Sequence, residues 1–494
     1  MKQSSIQFSK FSGLDFRTTA QDVSFSWKSN VLWFQELYGI VKTGVIHPLP
    51  DVSMNIHSGD GRLFNVNNKL YMLKTDWLYV INGSKTGFTQ ILSQTLQNKK
   101  DFWNLFQFYE KSATTSVTWS CQTGSDENFF KVWATLDINA HVNSYVDILE
   151  WGTVYKGTYY INANDENTIY IDGIIDYKPT ASDTFNIYTP RQCLYVYDGD
   201  KLYSIDQTTN TIIDDTTIWE CLLDVFNNRI WRTDGNNKLL YSTFNYWHYF
   251  QNLNYIPTET TIVDIFVMQN NLYVWTQSGT FAASGTGYTT IQLDRVSQFS
   301  HNKRLYPVTN KYNDMFITQD GNLYQFAWWV VQYNYNLIPD TEGKLFSTDL
   351  WIIFKLWHGT TQWGILNIEE VKNQKVRTIT NFFDGNLQDA IDYDGEMYIV
   401  ANNIVYRENG KKNITFKLNT IQFPRKIRIE KLQLSSNGSY PTQVQYKTAW
   451  VTHTSLLNTY ANERSYTIKK MVFEIQIIMD TTDPLVDFTL YYKV

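Results

Sequence analysis

The chain has 494 residues, which is enough for several domains and a large buried core. Charged residues make up 18% of it and aromatic residues 16%, a balance that favours β-structure because aromatic side chains fit a pleated, half-buried surface. The net charge of −6 argues against a free nucleic-acid binder, since basic residues cluster only at Lys411-Lys412, Arg425–Arg428 and Lys469-Lys470.

The cysteines and the N-terminus indicate how the chain matures. Cys121, Cys193 and Cys221 match neither a disulfide framework nor a zinc motif, so we expect buried free thiols. Met1–Ser5 leads into Ile6 without an apolar run, so we expect no signal peptide. No run of about 20 apolar residues is present, so we expect no stable membrane insertion. The chain is therefore expected to mature inside the cell that makes it.

A short motif recurs along the chain: a turn of Asn, Asp or Gly residues, then an aliphatic residue and an aromatic one. The copies are Asn67–Tyr71, Gly199–Tyr203, Asn227–Trp231, Asn270–Tyr273, Asp320–Tyr324 and Asp394–Tyr398, with Asn236–Tyr241 as a near copy. Asn-Asn, Gly-Asp and Asp-Gly pairs tolerate positive φ and form tight turns whose twist matches that of paired strands. Each copy therefore predicts a β-hairpin.

The strand before each turn is apolar, as in Cys193–Tyr197, Ile262–Val267 and Met315–Thr318. Hairpins that recur at intervals of a few tens of residues are typical of a β-propeller, in which each blade buries its faces against its neighbours. The spacing is irregular, and insertions between blades would explain this. The alternative is an all-β protein with ordinary hairpins, such as two sandwiches.

The fold class predicted is all-β: an irregular β-propeller with an inserted small β-domain and a C-terminal β-module. We expect the N-terminal segment and the first blade or blades in residues 1–100. The inserted domain is expected in residues 101–190, where the aromatic run Asp101–Tyr109 precedes several short strands. The remaining blades are expected in 191–410. Residues 411–494 either form a separate module or provide edge strands that close the propeller with the N-terminus.

Two stretches of the sequence are more distinctive of a protein family than the hairpin motif is. The first begins with Phe11–Thr19, continues with Asn30 and reaches a turn at Gly39–Val45. The second is Asn228–Ser242, which ends in Leu-Tyr-Ser and is followed by Trp247. The first resembles the start of many bacteriophage tail and stabilisation proteins, and the second resembles a blade of the tail nozzle proteins of short-tailed phages.

That resemblance implies a virion structural protein, a subunit of the tail hub or nozzle, assembled in the host cytoplasm. It implies a ring of six copies below the portal and adaptor rings, a channel for double-stranded DNA during genome ejection, and a docking platform for tail fibres or spikes. A mildly acidic chain is compatible with a conduit, because each neutralised phosphate would add affinity for DNA. Abundant Tyr and Trp suit large permanent interfaces.

Signatures of catalysis are absent from the sequence. The seven histidines form no i, i+4 pair on a helix, and there is neither a Gly-x-Ser-x-Gly elbow nor a P-loop. The acidic clusters are Asp214-Asp215, Glu369-Glu370, Asp480 with Asp483, and Asp198-Gly199-Asp200. We interpret them as solvated turn charges, and the last as a hairpin turn rather than a calcium site. We therefore predict that the chain is no enzyme, and assign no catalytic, cofactor-binding or metal-binding residue.

Two other functions stay open: a β-propeller carbohydrate-binding, lectin-like protein and a propeller glycosidase. A lectin predicts equivalent aromatic and polar pockets in several blades, and a glycosidase predicts two carboxylates that meet in a central cavity. The strand Trp328–Tyr335 bears on this choice, because alternation puts Trp329, Val331, Tyr333 and Tyr335 on one face. That face is core, a subunit interface or a sugar-binding strip.

Overall fold

The computed structural model describes residues 3–8, 10–14, 31–42, 45–112, 115, 117–126, 128–175, 177–218, 220–246, 250, 254–268, 271–285, 291–298, 302, 304–309, 314–319, 322–327, 330–336, 344–356, 361–371, 374–418, 421–436, 443–448, 451–458, 465–481 and 485–493. The regular elements of these residues are strands. They form two compact units, which we name the middle unit, mainly Gly61–Tyr306, and the terminal unit, mainly Met1–Asp60, Pro307–Ala327 and Val331–Val494.

Four antiparallel sheets of four strands each make up most of the middle unit, and we name them blades A to D. Blade A comprises Gly61–Val66, Lys69–Lys74, Trp77–Ile81 and Phe88–Gln90. Blade B comprises Asn104–Lys111, Pro190–Tyr197, Lys201–Asp206 and Thr211–Thr217. Blade C comprises Leu223–Phe226, Arg229–Thr233, Lys238–Tyr241 and Tyr255–Pro257. Blade D comprises Ile262–Met268, Asn271–Thr276, Gly279–Ser284 and Gln292–Ser297.

A closed six-stranded barrel is inserted between the first and second strands of blade B. Its strands are Val117–Asp126, Phe129–Val132, Tyr145–Glu150, Val154–Asn164, Thr168–Asp172 and Thr184–Tyr188. Its interior is apolar, with Phe130, Ile148 and Phe185 fully buried. The sequence placed the start of the inserted domain at residue 101, but Asn104–Lys111 pairs with Pro190–Tyr197 inside the blade. The insertion therefore begins only after this first blade strand.

Apolar side chains join successive blades of the middle unit. Tyr71 and Trp77 of blade A pack with Leu194, Val196 and Tyr203 of blade B, and the rings of Trp77 and Tyr203 meet edge to face at 4.7 Å. Similar clusters join blade B to C and blade C to D. Burial of this kind stabilises folding by roughly 25 cal/mol per Å² of apolar surface, so each blade depends on its neighbours.

The terminal unit contains three further blades. Blade E comprises Val308–Thr309, Met315–Gln319, Asn322–Ala327 and Val330–Asn336. Blade F comprises Phe346–Ser347, Trp351–Lys355, Gln362–Val371 and Gln374–Asp384. Blade G comprises Leu387–Tyr393, Glu396–Ala401, Ile404–Lys411 and Pro50–Ser58. The last blade is thus completed by a strand from near the start of the chain, which directly precedes blade A in the sequence.

Blade F continues into a sheet of 15 strands that also takes strands from both ends of the chain. The added strands are Gln3–Phe8, Lys10–Leu14, Val31–Tyr38, Ile40–Lys42, Val45–His47, Ile414–Leu418, Ile421–Ser436, Gln443–Thr448, Val451–Asn458, Ser465–Thr481 and Leu485–Lys493. The strands of the predicted module at 411–494 therefore pair with N-terminal strands, as Leu485–Lys493 does with Gln3–Phe8. The fourth strand of blade G nevertheless comes from Pro50–Ser58 rather than from these C-terminal strands.

The predicted hairpins lie at turns with the expected backbone conformation. Both central residues have positive φ in three of them, at 51° and 55° for Asn67 and Asn68, 48° and 55° for Asn227 and Asn228, and 50° and 76° for Asp394 and Gly395. The turns at Asn270 and at Asp320-Gly321 lie outside the described residues. The chain is an irregular β-propeller with an inserted small barrel and a C-terminal sheet.

Candidate functional site

Polar side chains on the first strands of blades A and B reach the backbone of the next blade or of the segment that leads into it. In blade A, the Arg62 guanidinium donates to the carbonyl oxygens of Lys100 and Trp103 at 3.3 and 3.1 Å, just before blade B begins. In blade B, Asn104 Nδ2 donates to the carbonyl oxygen of Leu223 in blade C at 3.1 Å. These bonds link consecutive blades from the first strand of each, and they give the carbonyl oxygens of Lys100, Trp103 and Leu223 a donor.

Blades C and D continue the pattern with carboxylates. Asp224 accepts a hydrogen bond from the Val267 amide of blade D at 3.0 Å. Asp264 of blade D accepts from the Leu305 and Tyr306 amides at 2.9 and 3.1 Å, in the segment that follows the blade. Desolvation raises the pKa of Asp224 to about 6, because hydrogen bonds from the Val225 and Val267 amides only partly compensate the burial of its charge.

Arg304 lies at the end of this series of links. Its guanidinium is 5.0 Å from the Phe102 ring centroid and 4.9 Å from that of Tyr306, and it donates to the carbonyl oxygen of Asp101. Its Nε is 3.7 Å from Asp264 Oδ1. Burial raises the pKa of Asp264 and the charge of Arg304 counteracts part of that rise. The cluster holds together three parts of the chain that are far apart in sequence.

The residues that form these links share a sequence pattern that the hairpin motif does not contain. Each begins a triplet of a polar residue, an aliphatic residue and Phe: Arg62-Leu63-Phe64, Asn104-Leu105-Phe106, Asp224-Val225-Phe226 and Asp264-Ile265-Phe266. The central aliphatic residue belongs to or packs against a blade-to-blade cluster in three triplets, at Leu105, Val225 and Ile265. Leu63, the central residue of the fourth, is also buried. A polar residue near the start of a strand, followed by an aliphatic residue and Phe, therefore marks the first strand of each of these four blades.

The barrel is fixed to blades B and C by a caged lysine. Lys111 Nζ, at the end of the first strand of blade B, forms a 2.8 Å ion pair with Asp147 of the barrel. Three tyrosine rings surround the ammonium group, with centroids 5.8 Å (Tyr155), 5.0 Å (Tyr188) and 5.1 Å (Tyr246) away. Cation–π attraction strengthens such an ion pair when the cation is desolvated. The cage draws on the barrel and on the segment that follows the third strand of blade C.

A second ion pair contributes to the same junction between the barrel and the blades. Arg229 of blade C has a side chain that is 2% exposed and pairs with Asp172 of the barrel. Its guanidinium also donates to the Ser242 carbonyl oxygen at 2.9 Å and lies 5.4 Å from the Phe244 ring centroid. The Tyr145 hydroxyl of the barrel donates to the carbonyl oxygen of Asn245. The barrel is therefore held by buried charges as well as by tyrosines.

An open cleft of about 450 Å³ lies beside the caged lysine. Its lining residues are Glu110, Lys111, Ser112, Tyr155, Arg191, Ile213, Asp214 and Tyr246. Lys111 is paired with Asp147, Arg191 is paired with Asp206 at 3.3 Å, and Glu110 accepts from the Tyr195 hydroxyl at 3.2 Å. The charges that line this cleft thus have structural partners, which is unlike a general acid and base that converge on an open reaction site.

Asp198 organises the Asp198-Gly199-Asp200 turn through its carboxylate. Asp198 Oδ1 accepts from the amides of Asp200 and Lys201 at 2.9 and 2.6 Å, and Oδ2 accepts from the Gln97 amide at 3.1 Å. The Asp198 side chain is fully buried. This arrangement is that of a hairpin turn in which the carboxylate oxygens already have protein donors.

The other acidic residues singled out in the sequence do not converge on one another. Asp215 pairs with Lys201 at 2.8 Å, and Asp214 accepts from Thr216 at 3.0 Å, both on the outer strand of blade B. The side chains of Glu369, Glu370, Asp480 and Asp483 lie outside the described residues. So do Asn30, Trp247 and the side chains of Trp328–Tyr335, although Val330–Asn336 is a strand as predicted.

The remaining candidate features are the cysteines, groups of metal-ligating side chains and membrane-spanning helices. Cys121, Cys193 and Cys221 are buried free thiols, as predicted. Among the described residues, no group of three or more His, Cys, Asp or Glu side chains is placed to hold a metal ion. In the same part of the chain no helix has the length and apolar character needed to cross a membrane.

No family model matches the chain, and no curated protein matches it. The chain is similar in structure to a chain of the mitotic checkpoint complex, with 8% identity, a TM-score of 0.37, and coverage of 81% of this chain and 100% of the other. It is similar to the Cps50 (Swd1) β-propeller domain of Myceliophteria thermophila, with 6% identity, a TM-score of 0.38, and coverage of 73% and 99%. It is similar to Hsv2 of Kluyvelomyces marxianus, with 10% identity, a TM-score of 0.30, and coverage of 66% and 97%. At these values the likenesses say nothing about what this chain binds or does.

Proposed function

We propose that this chain is a structural subunit of a virion tail, a hub or nozzle protein of a short-tailed bacteriophage, without catalytic activity. In this proposal six copies form a ring below the portal and adaptor rings. The ring lines the path of double-stranded DNA during genome ejection and carries tail fibres or spikes. The resemblance of Phe11–Thr19 and Asn228–Ser242 to such proteins motivates the proposal.

One structural observation supports it: several buried ionisable side chains of the middle unit connect one module to the next. Asp264 binds the segment after blade D, Lys111 binds Asp147 across the barrel junction, and Arg229 binds Asp172 across the same junction. In an enzyme, buried charges of perturbed pKa tend to converge on a cavity that holds the substrate. Charges that link modules instead favour rigidity, which suits a subunit that bears load in a tail.

Imaging of the purified protein tests the proposal. The protein alone, and mixed with a portal–adaptor complex of a short-tailed phage, would be examined by native mass spectrometry and negative-stain electron microscopy. We expect a closed ring that adds a layer to the adaptor end of the complex. A protein that stays monomeric, ignores the complex and binds or hydrolyses glycans would contradict the proposal and favour the lectin or glycosidase alternative.

A further inference from the structure

The cleft beside the caged lysine has the size and lining of a small-molecule site. Its volume of about 450 Å³ lies within the range of about 300–1,000 Å³ that is typical of such sites. Tyrosine rings, acids, bases and a serine line it, and all of them belong to the middle unit. The structural partners of its charged side chains argue against a reaction centre but favour binding. Polar groups that are already fixed lose less conformational entropy when a ligand binds them.

Tyr155 presents mainly its ring to the cleft. The residue is 47% exposed, yet its hydroxyl is hydrogen-bonded to the Thr158 hydroxyl at 2.8 Å. Burial raises the pKa of the Tyr155 hydroxyl, which also places that group away from solvent. The exposed part of the side chain is therefore mostly the carbon ring. The face of an aromatic ring is electron-rich and attracts the weakly positive C–H face of a sugar ring, so Tyr155 provides a stacking platform.

The caged lysine holds this platform in place. Lys111 Nζ lies 5.8 Å from the Tyr155 ring centroid and 5.1 Å from that of Tyr246, and it forms a 2.8 Å ion pair with Asp147. Tyr246 is itself buried. Because the ammonium group contacts both rings and is fixed by its carboxylate, the aromatic side of the cleft is rigid before any ligand arrives.

Hydrogen-bonding side chains of blade B line the rest of the cleft. Glu110 and Arg191 are opposite each other in the strand register, so their side chains share a face of the blade. Asp214 lies on the outer strand of the same blade, and Ser112 follows its first strand. A carboxylate has about four acceptor positions and a guanidinium has five N–H donors. Arg191, which is 30% exposed and pairs with Asp206 at 3.3 Å, therefore has donors left for a ligand.

The charges of the lining disfavour both anions and cations. The lining contains two acids, Glu110 and Asp214, and two bases, Lys111 and Arg191. Both bases are paired with carboxylates outside the lining, so negative charge is in excess around the cleft and repels an anion. A cation would compete with the two bases for the same carboxylates and tyrosine faces. A neutral ligand with many hydroxyl groups avoids both penalties, and its hydroxyls match donors and acceptors alike.

We propose that this cleft binds a neutral saccharide, with one sugar ring stacked on Tyr155 and its hydroxyl groups hydrogen-bonded to Asp214 and Arg191. The site goes beyond the proposed function, because it adds ligand recognition to a structural subunit and does not depend on assembly into a ring. It also differs from the site of a propeller lectin, since it lies where the barrel meets blade B and not at equivalent positions of several blades.

Saturation-transfer difference NMR on the whole chain tests the ligand class. The neutral probes are glucose, galactose, mannose, N-acetylglucosamine and lactose, and the charged analogues are glucosamine, a cation, and glucuronate, an anion. At about 10 mM of each probe, which detects weak binding, we expect transfer to at least one neutral sugar and weaker transfer to both charged analogues. Absence of transfer to every neutral probe would overturn the inference. So would preferential binding of glucosamine or glucuronate, which would identify an organic cation or anion as the occupant.

Substitutions in the lining test the location of the site, with the best neutral probe titrated by NMR and folding verified by circular dichroism. Tyr155→Ala removes the platform and should weaken binding by about tenfold or more, whereas Tyr155→Phe keeps the ring and should bind as the wild type does. Asp214→Ala removes an acceptor and should weaken binding by about fivefold or more. Asp215→Ala is the matched control and should have no effect, because Asp215 is the next residue on the same strand and faces the other side.

The outcomes separate this site from the proposed ring. Binding that survives both Tyr155→Ala and Asp214→Ala would place the sugar elsewhere and overturn the inference, and so would an equal loss in Asp214→Ala and Asp215→Ala. If Tyr155→Ala fails to fold, the Asp214 and Asp215 variants decide alone. Native mass spectrometry of the wild type measures assembly independently: a protein that assembles but binds no neutral sugar refutes this site alone, and one that binds sugar in the cleft but never assembles refutes the ring alone.

Discussion

Replacing Asp264 with alanine removes the acceptor that ties blade D to the segment after it. The Asp264 side chain is 2% exposed and accepts from the amides of Ile265, Leu305 and Tyr306 at 3.0, 2.9 and 3.1 Å. Arg304 lies close by, with its Nε 3.7 Å from the carboxylate. Alanine would leave two long-range amides and one cation without their partner.

The expected loss in the free energy of unfolding follows from the amides that lose their acceptor. A buried amide that loses its acceptor costs about 1–3 kcal/mol, so the amides of Leu305 and Tyr306 together give about 2–5 kcal/mol once partial exposure of Tyr306 is allowed for. Asp264→Asn keeps the shape and one oxygen but turns an amide group towards a donor, and we expect it to cost about 1–2 kcal/mol. The charged form is already disfavoured by burial, which limits the loss in the Asn variant.

Denaturant unfolding, followed by tryptophan fluorescence, would measure these free energies, and hydrogen exchange by mass spectrometry would follow the segment at residues 302–309. We expect Asp264→Ala to remove exchange protection at Leu305 and Tyr306 in particular. Asp294→Ala is the matched control, because Asp294 is an exposed carboxylate on the outer strand of the same blade. An Asp264→Ala variant within about 0.5 kcal/mol of the wild type, with unchanged exchange, would refute the role given to this residue.

Three further predictions concern the barrel junction, pH and the turns. Arg229→Met leaves Asp172 without its buried partner and should cost about 3–5 kcal/mol in chemical denaturation, with much of the loss recovered when Asp172→Leu is added; no recovery would contradict the ion-pair explanation. Burial raises the pKa of both Asp224 and Asp392 from 3.8 to about 6, so their contribution to stability is complete below about pH 4 and is lost as the pH rises through 6. The free energy of unfolding should therefore be higher at about pH 5 than at about pH 7.5, and less so after Asp224→Asn and Asp392→Asn; a flat wild-type profile would count against this. In thermal unfolding, Asn68→Val at φ 55° should lower the free energy of unfolding by about 1–2 kcal/mol, whereas Asn68→Gly should not. Equal effects of the two substitutions would exclude backbone strain as the cause.

The hairpins were predictable because their signal is local. Asn67-Asn68 and Asn227-Asn228 adopt positive φ at both positions, and this preference depends only on the residues in the turn. The barrel junction was not predictable in the same way. Lys111 and Asp147 are ordinary charged residues in sequence, and their ion pair exists only because the barrel folds back onto blade B.

The same reasoning explains the shifted domain boundary. Asn104–Lys111 has the aromatic alternation of a strand, but its partner Pro190–Tyr197 follows only after the whole barrel. A strand's sequence indicates that it will pair and which face is apolar, whereas the partner depends on which edge is available in the folded chain. Pro50–Ser58 illustrates this again, since it completes blade G far along the chain.

The amino-acid sequence by itself determined the all-β class, the tight hairpin turns and the buried free thiols, since backbone preference and hydropathy act over a few residues. Tertiary structure alone decided that the insertion closes into a barrel, which strand completes the last blade, and that Asp264, Lys111 and Arg229 link modules. Those features depend on partners distant in the chain, and the burial that makes a charge costly or useful arises only once the partners have packed together.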